Sequence, residues 1–210
     1  MSKLIAKFHK NRGGDRRSVD RLVLASGSPY RRSLLEKLGL PVVAVSSNVD
    51  ESRRLGESPL HLAARLAESK CTALQADYPN HLIIGSDQVA MLSQLQLTKP
   101  GNRKNAVQQL RAVSGKSVIF YTGVCLLDTS NGQRQTQVDV CTVHFRNLRD
   151  EQIERYVDRD EPFDCAGSFK SESLGITLFQ RIEGEDPNAL IGLPLIKLVT
   201  MLEKFGVKIL

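Results

Sequence analysis

No stretch of this 210-residue chain is apolar for long enough to cross a bilayer, so no membrane partner is expected. The four cysteines, at 71, 125, 141 and 165, have neither zinc-finger nor redox spacing and lie in apolar or strand-like surroundings. They read as reduced core thiols, which points to the cytoplasm. Histidines 9, 61, 81 and 144 form no ligand pattern, and no serine sits in a nucleophile elbow. Ser114-Gly115-Lys116 resembles the end of a P-loop, but Leu110 stands where that motif needs glycine, so a helix cap is expected. Internal repeats and low-complexity core segments are missing too. Even the basic excess is largely local. Residues 1–20 hold six basic and two acidic side chains and so carry +4 of the net +6. With Gly13-Gly14 and little apolar periodicity they read as a disordered basic tail, lacking the apolar core of a secretory signal. That leaves 21–210 as the folded unit and weakens any nucleic-acid reading.

What is present begins at Leu22-Val23-Leu24-Ala25-Ser26-Gly27-Ser28-Pro29-Tyr30-Arg31-Arg32, followed by leucines at 34, 35 and 38 and by Gly39. This spacing predicts a strand, a tight turn and a helix closed by glycine, with Ser28 as N-cap and Pro29 in the first turn. Arginines beside the positive end of a helix oppose its dipole unless an anion sits between them. The corner therefore suits phosphate, although strand–turn–helix corners are common without any ligand.

Further strands are expected at 42–45, 82–88, 117–127 and 135–145, the last two joined through Ser130-Asn131-Gly132. A hairpin-like patch spans 91–97. Phe163–Ala166 and Leu174–Ile182 also read as strands, around a polar loop. Helices are expected from Ser58-Pro59 up to Tyr78, over 102–113, over 149–159, and from Pro194 to about Gly206. Strand–helix units mixed with a hairpin make this an α/β protein with a mixed sheet.

Ser26, Ser28, Glu51, Asp87 and Gln88 fall at the ends of apolar strands, where open α/β sheets hold ligands. Lysines 70, 99 and 170 lie in the same segments. Carboxylates able to hold a divalent cation, beside lysines and arginines, suit a polyphosphate substrate; taken singly, each residue reads equally as a surface charge.

Six motifs then occur together and in order: Ser26-x-Ser28-Pro29-x-Arg31-Arg32, Val49-Asp50-Glu51, Ala67-Glu68-Ser69-Lys70, Gly85-Ser86-Asp87-Gln88, Thr98-Lys99-Pro100 and Asn188-x-x-Gly192-Leu193-Pro194. This set resembles the Maf family of nucleoside-triphosphate pyrophosphatases over about Leu22 to Gly206. The resemblance implies an elongated mixed sheet flanked by helices, with two lobes around a deep cleft. It also implies cleavage of a nucleoside triphosphate to monophosphate and pyrophosphate with a divalent metal, Mg²⁺ before Mn²⁺ or Co²⁺. By position, Asp87 matches the proton acceptor, though the sequence equally allows it to act through the metal, with Glu51 as its companion there. Ser26, Ser28, Arg31, Lys70 and Lys99 match phosphate-handling positions. A homodimer is compatible with the resemblance.

Tyr30, Gln88 and Glu172 depart from the thymidine- and uridine-triphosphate branch, which typically carries arginine, threonine and glutamine there. They are similar to the 7-methyl-GTP pyrophosphatase branch, whose activity would clear a non-standard nucleotide from the pool. The alternatives are a dTTP or UTP pyrophosphatase of the same family, or a regulator that senses nucleotides and binds nucleic acid through its basic tail.

Overall fold

A seven-stranded mixed sheet runs through residues 21–210, the part of the chain that the computed structural model describes. The expected basic tail, residues 1–20, lies outside the described residues. Strand β1 (Leu22–Leu24) pairs in parallel with β2 (Val42–Ala44) on one side and β3 (Leu82–Leu92) on the other. A short β4 (Leu95–Leu97) folds back antiparallel on the far end of β3. The opposite edge of β3 pairs antiparallel with β5 (Ser117–Asp128), β5 with β6 (Arg134–Phe145), and β6 with β7 (Phe179–Glu183).

The helices start where their caps dictate. In α1 (Pro29–Glu36) the Ser28 side chain accepts from the Arg31 N–H, and in α2 (Pro59–Ala73) Ser58 accepts from His61 in the same way. Proline opens both, at a position where no N–H is needed. Asn102 caps α3 (Arg103–Val113). Two further helices, α4 (Asp150–Asp160) and α5 (Leu195–Lys204), complete the set. Ser114 is the C-cap of α3 as expected, with Gly115 at φ +68° behind it.

The core divides between the two ends of the sheet. At one end Leu34, Leu35, Leu198 and Leu202 from α1 and α5 pack on Leu24 and Ile84. At the other, Leu110, Ile153 and Val157 from α3 and α4 pack on Phe120, Phe145 and Phe169. The cleft lies between them. Helix α2 crosses the sheet where two strands carry no side chain. A Cβ on Gly85 would stand 2.2 Å from the Ala67 carbonyl oxygen and 2.8 Å from Cys71 Sγ. One on Gly123 would stand 2.3 Å from the Ala63 oxygen. Gly85→Ala must therefore push α2 off β3, and overpacking of this kind costs roughly 1–3 kcal/mol. Thermal unfolding should show a melting midpoint lowered by several degrees; an unchanged midpoint would mean that α2 does not rest on Gly85.

One detail of the sheet positions the site. β1 accompanies β3 only to Ile84, and β4 joins it only from Ala90. Between them, residues 85–89 keep β5 as their only strand neighbour among the described residues. Within this gap alternate side chains take opposite faces. Asp87 and Val89 face α2, and Ser86 and Gln88 face the segment 186–193.

Three local expectations are corrected. Gly85-Ser86-Asp87-Gln88 is the middle of an 11-residue strand and not the end of a short one. Phe163–Ala166 is a turn, because Glu161 ends α4 in a left-handed conformation and the Phe163 and Cys165 N–H groups bond back to Glu161 and Pro162. Leu174–Leu178 is a short 3-10 helix, folded so closely on the preceding loop that Gly175 N–H bonds to the Lys170 oxygen at 3.1 Å. All four cysteines are free, but only Cys71, Cys125 and Cys141 are buried; Cys165 lines the cleft. No helix among the described residues is long and apolar enough to cross a membrane.

Candidate active site

The cleft encloses about 610 Å³, and the ten residues matched to the family's site and branch positions line it, whereas Lys170 does not. Its floor is built by α2 and β3. Because the two glycines let the helix close on the sheet, Lys70 in the last turn of α2 reaches Asp87 in the gap. Lys70 Nζ lies 2.5 Å from Asp87 Oδ1 and 2.7 Å from Glu51 Oε1. Lys70 and Asp87 are 6% and 8% exposed, so this charge pair is almost removed from water, which fixes both groups in place. Glu51 stands at the rim. Burial pushes its carboxyl up, but the Lys70 hydrogen bond and the charges of Lys70, Lys99 and Arg31 outweigh burial and hold it below the ordinary value.

Arg31 forms the opposite wall. Its Nε donates to the Gly192 carbonyl at 2.8 Å and its Nη1 to Ser26 Oγ at 3.3 Å. Ser26 Oγ also accepts from the Ser28 N–H, so one serine joins the turn to the guanidinium. Desolvation lowers the Arg31 pKa, opposed by the charges of Asp87 and Glu51. Gly192 has φ +123°, a conformation that side chains rarely allow, and this turns its carbonyl toward Arg31. Lys99 is exposed at the mouth, on the turn between β4 and α3.

The three residues that set the branch behave differently from one another. Gln88 lines the cleft but spends its amide N–H groups on Thr122 Oγ1 and on the Ala189 and Leu190 carbonyls. It holds the 186–193 segment in place. Tyr30 and Glu172 stand at the outer end, where the Tyr30 hydroxyl donates to Asp164 Oδ1 at 3.2 Å. Lys170 is not part of the site: its Nζ donates to the Asp160 carbonyl.

Several participants escaped the sequence. Buried Ser86 bonds to the Gly123 and Gly192 carbonyls, Thr122 bonds to Ala189, and Asp164 meets Tyr30. Only the Gly85–Gln88 motif, which contains Ser86, and the Asn188–Pro194 motif pointed toward this support. For a metal, no group of three or more His, Cys, Asp or Glu is placed to act together among the described residues. Glu51 and Asp87, both against Lys70, offer two hard oxygen donors. That fits a cation such as Mg²⁺, which takes its remaining ligands from water and substrate phosphates.

Residues 21–205 match the family described as Maf-like protein. The chain belongs to the Maf family. It is 52% identical over 189 residues to the 7-methyl-GTP pyrophosphatase of Nitrosococcus oceani, covering 90% of this chain and 95% of that one. It is 54% identical over 188 residues to the protein of the same name from Alcanivorax borkumensis, again covering 90% and 95%. Among solved structures, the Ham1 protein of Staphylococcus aureus aligns with a TM-score of 0.48 and 12% identity, covering 87% of this chain and 98% of that chain. Each of the six motifs contributes at least one residue to the lining of the cleft.

Proposed function

We propose that this protein hydrolyses 7-methyl-GTP to 7-methyl-GMP and pyrophosphate. The observation that carries it is the buried Asp87–Lys70 pair in the sheet gap, facing a wall of phosphate-directed groups in one cleft. Identity above 50% to two Maf relatives named for this activity supports the choice of substrate.

In this reading Ser26, Ser28, Arg31 and Lys99 hold the phosphate chain, and the N-terminus of α1 adds its dipole. Asp87 accepts a proton from a water molecule as its oxygen bonds to the α phosphorus. The bond from that phosphorus to the bridging oxygen breaks, and pyrophosphate leaves. Lys70 keeps Asp87 oriented throughout. Glu51 and Asp87 would hold the divalent cation, Mg²⁺ before Mn²⁺ or Co²⁺, whose charge offsets that of the phosphate oxygens. The same reading places the enzyme in the cytoplasm with the nucleotide pool, as a homodimer.

Hydrolysis in ¹⁸O water tests where the bond breaks. The label should appear in 7-methyl-GMP, and EDTA should stop turnover until Mg²⁺ is returned. Label in orthophosphate or in pyrophosphate would move the attack to another phosphorus and overturn the assignment.

A further inference from the structure

The two ends of the cleft differ in sign. At the phosphate end the three cations Arg31, Lys70 and Lys99 outnumber the two carboxylates Glu51 and Asp87. At the outer end stand Asp164 and Glu172, neither of which has a cationic partner among the described residues. Beside these carboxylates, and next to Tyr30, stands the thiol of Cys165. Burial, and then the charge of Asp164, push its thiol up to about 12, so it adds no charge of its own. Asp164 Oδ1 accepts from the Tyr30 hydroxyl at 3.2 Å and from Cys165 Sγ at 3.4 Å. This contact bridges α1 and the turn after α4, elements otherwise on opposite sides of the cleft mouth.

A tyrosine ring tethered at its hydroxyl keeps its face in one orientation, and a ring face attracts a cation. A carboxylate beside it adds to that attraction, and Asp164 and Glu172 are both exposed where an entering base would meet them. We propose that Asp164 is a specificity-determining residue, which positions the Tyr30 ring and, with Glu172, makes the outer end select a nucleotide whose base is positively charged. The inference rests on the proposed substrate: methylation at N7 gives guanine that charge, and the triphosphate supplies the opposite one for the cationic end.

The test compares kcat/KM for 7-methyl-GTP and for GTP, which differ only in the N7 methyl group and its charge. Asp164→Asn keeps an oxygen for the Tyr30 hydroxyl and removes the charge. It should lower the 7-methyl-GTP to GTP ratio about tenfold, chiefly through KM for the methylated nucleotide. Asp164→Glu should recover part of the preference. Because each ratio is taken within one preparation, loss of folded protein cancels. An unchanged ratio in Asp164→Asn overturns the inference while leaving the proposed substrate standing. An unaltered protein that shows no preference for 7-methyl-GTP removes the substrate reading, and this inference with it.

Discussion

Asp87→Asn should retain the fold and nucleotide binding yet lower kcat about a hundredfold or more, the usual scale for a lost general base. The substitution is nearly isosteric at a position only 8% exposed, so packing against α2 changes little. Lys70 would not be stranded either, since Glu51 remains 2.7 Å from its Nζ. What disappears is the one buried carboxylate placed in the sheet gap to take a proton from water. Calorimetric binding of 7-methyl-GTP beside steady-state turnover separates the two contributions. Binding retained with near wild-type kcat would remove Asp87 from the chemistry.

Tyr30→Arg combined with Glu172→Gln should reverse the base preference. Arginine at position 30 would meet Asp164, which now accepts from the tyrosine hydroxyl, and would neutralise it while repelling a cationic base. Glutamine at 172 removes the second charge and supplies an N–H that can bond to the carbonyls of uracil or thymine. Loss of the ring–cation contact and of a charge-assisted hydrogen bond together should change the ratio of 7-methyl-GTP to UTP or dTTP kcat/KM on the order of a hundredfold. The ratio, measured across all three nucleotides, checks it. A double variant that keeps the original order of substrates would show that base choice is made elsewhere.

Local sequence was most legible where one residue type had one job. Ser28 and Pro29 mark the start of α1, Ser58 and Pro59 the start of α2, and Gly132 at φ +75° the turn between β5 and β6. It misled where tertiary contacts decide. A run that turns from Leu-Ile-Ile to Gly-Ser-Asp-Gln looks like a strand running out into solvent. Here those polar residues stay extended because β5 pairs with them throughout, and their side chains find partners on the two faces of the sheet, Asp87 on Lys70, Ser86 on Gly192 and Gln88 on Ala189. Leu174–Leu178 has strand-like composition, yet Gly175 draws it down onto the Lys170 carbonyl. Placement at strand ends already singled out Ser26, Ser28, Glu51, Asp87 and Gln88, and the order of the motifs then assigned their roles. Nothing in the chain signals that Gln88 would turn its amide to the Ala189 and Leu190 carbonyls, or that Asp164 would reach a tyrosine 134 residues away.

The gap in β3 also sets where this chain is free to change. Strands in the middle of a sheet open only when much of the molecule opens, whereas turns and helix starts fluctuate at small free-energy cost. Asp87 and its lysine belong to the first kind of structure, so a substitution among their neighbours is felt by the whole fold. Tyr30, Asp164 and Glu172 belong to the second, at a helix start, a turn and a loop. New base preferences can therefore be tried at the mouth of the cleft at little risk to folding, with the hydrolytic centre carried along unaltered.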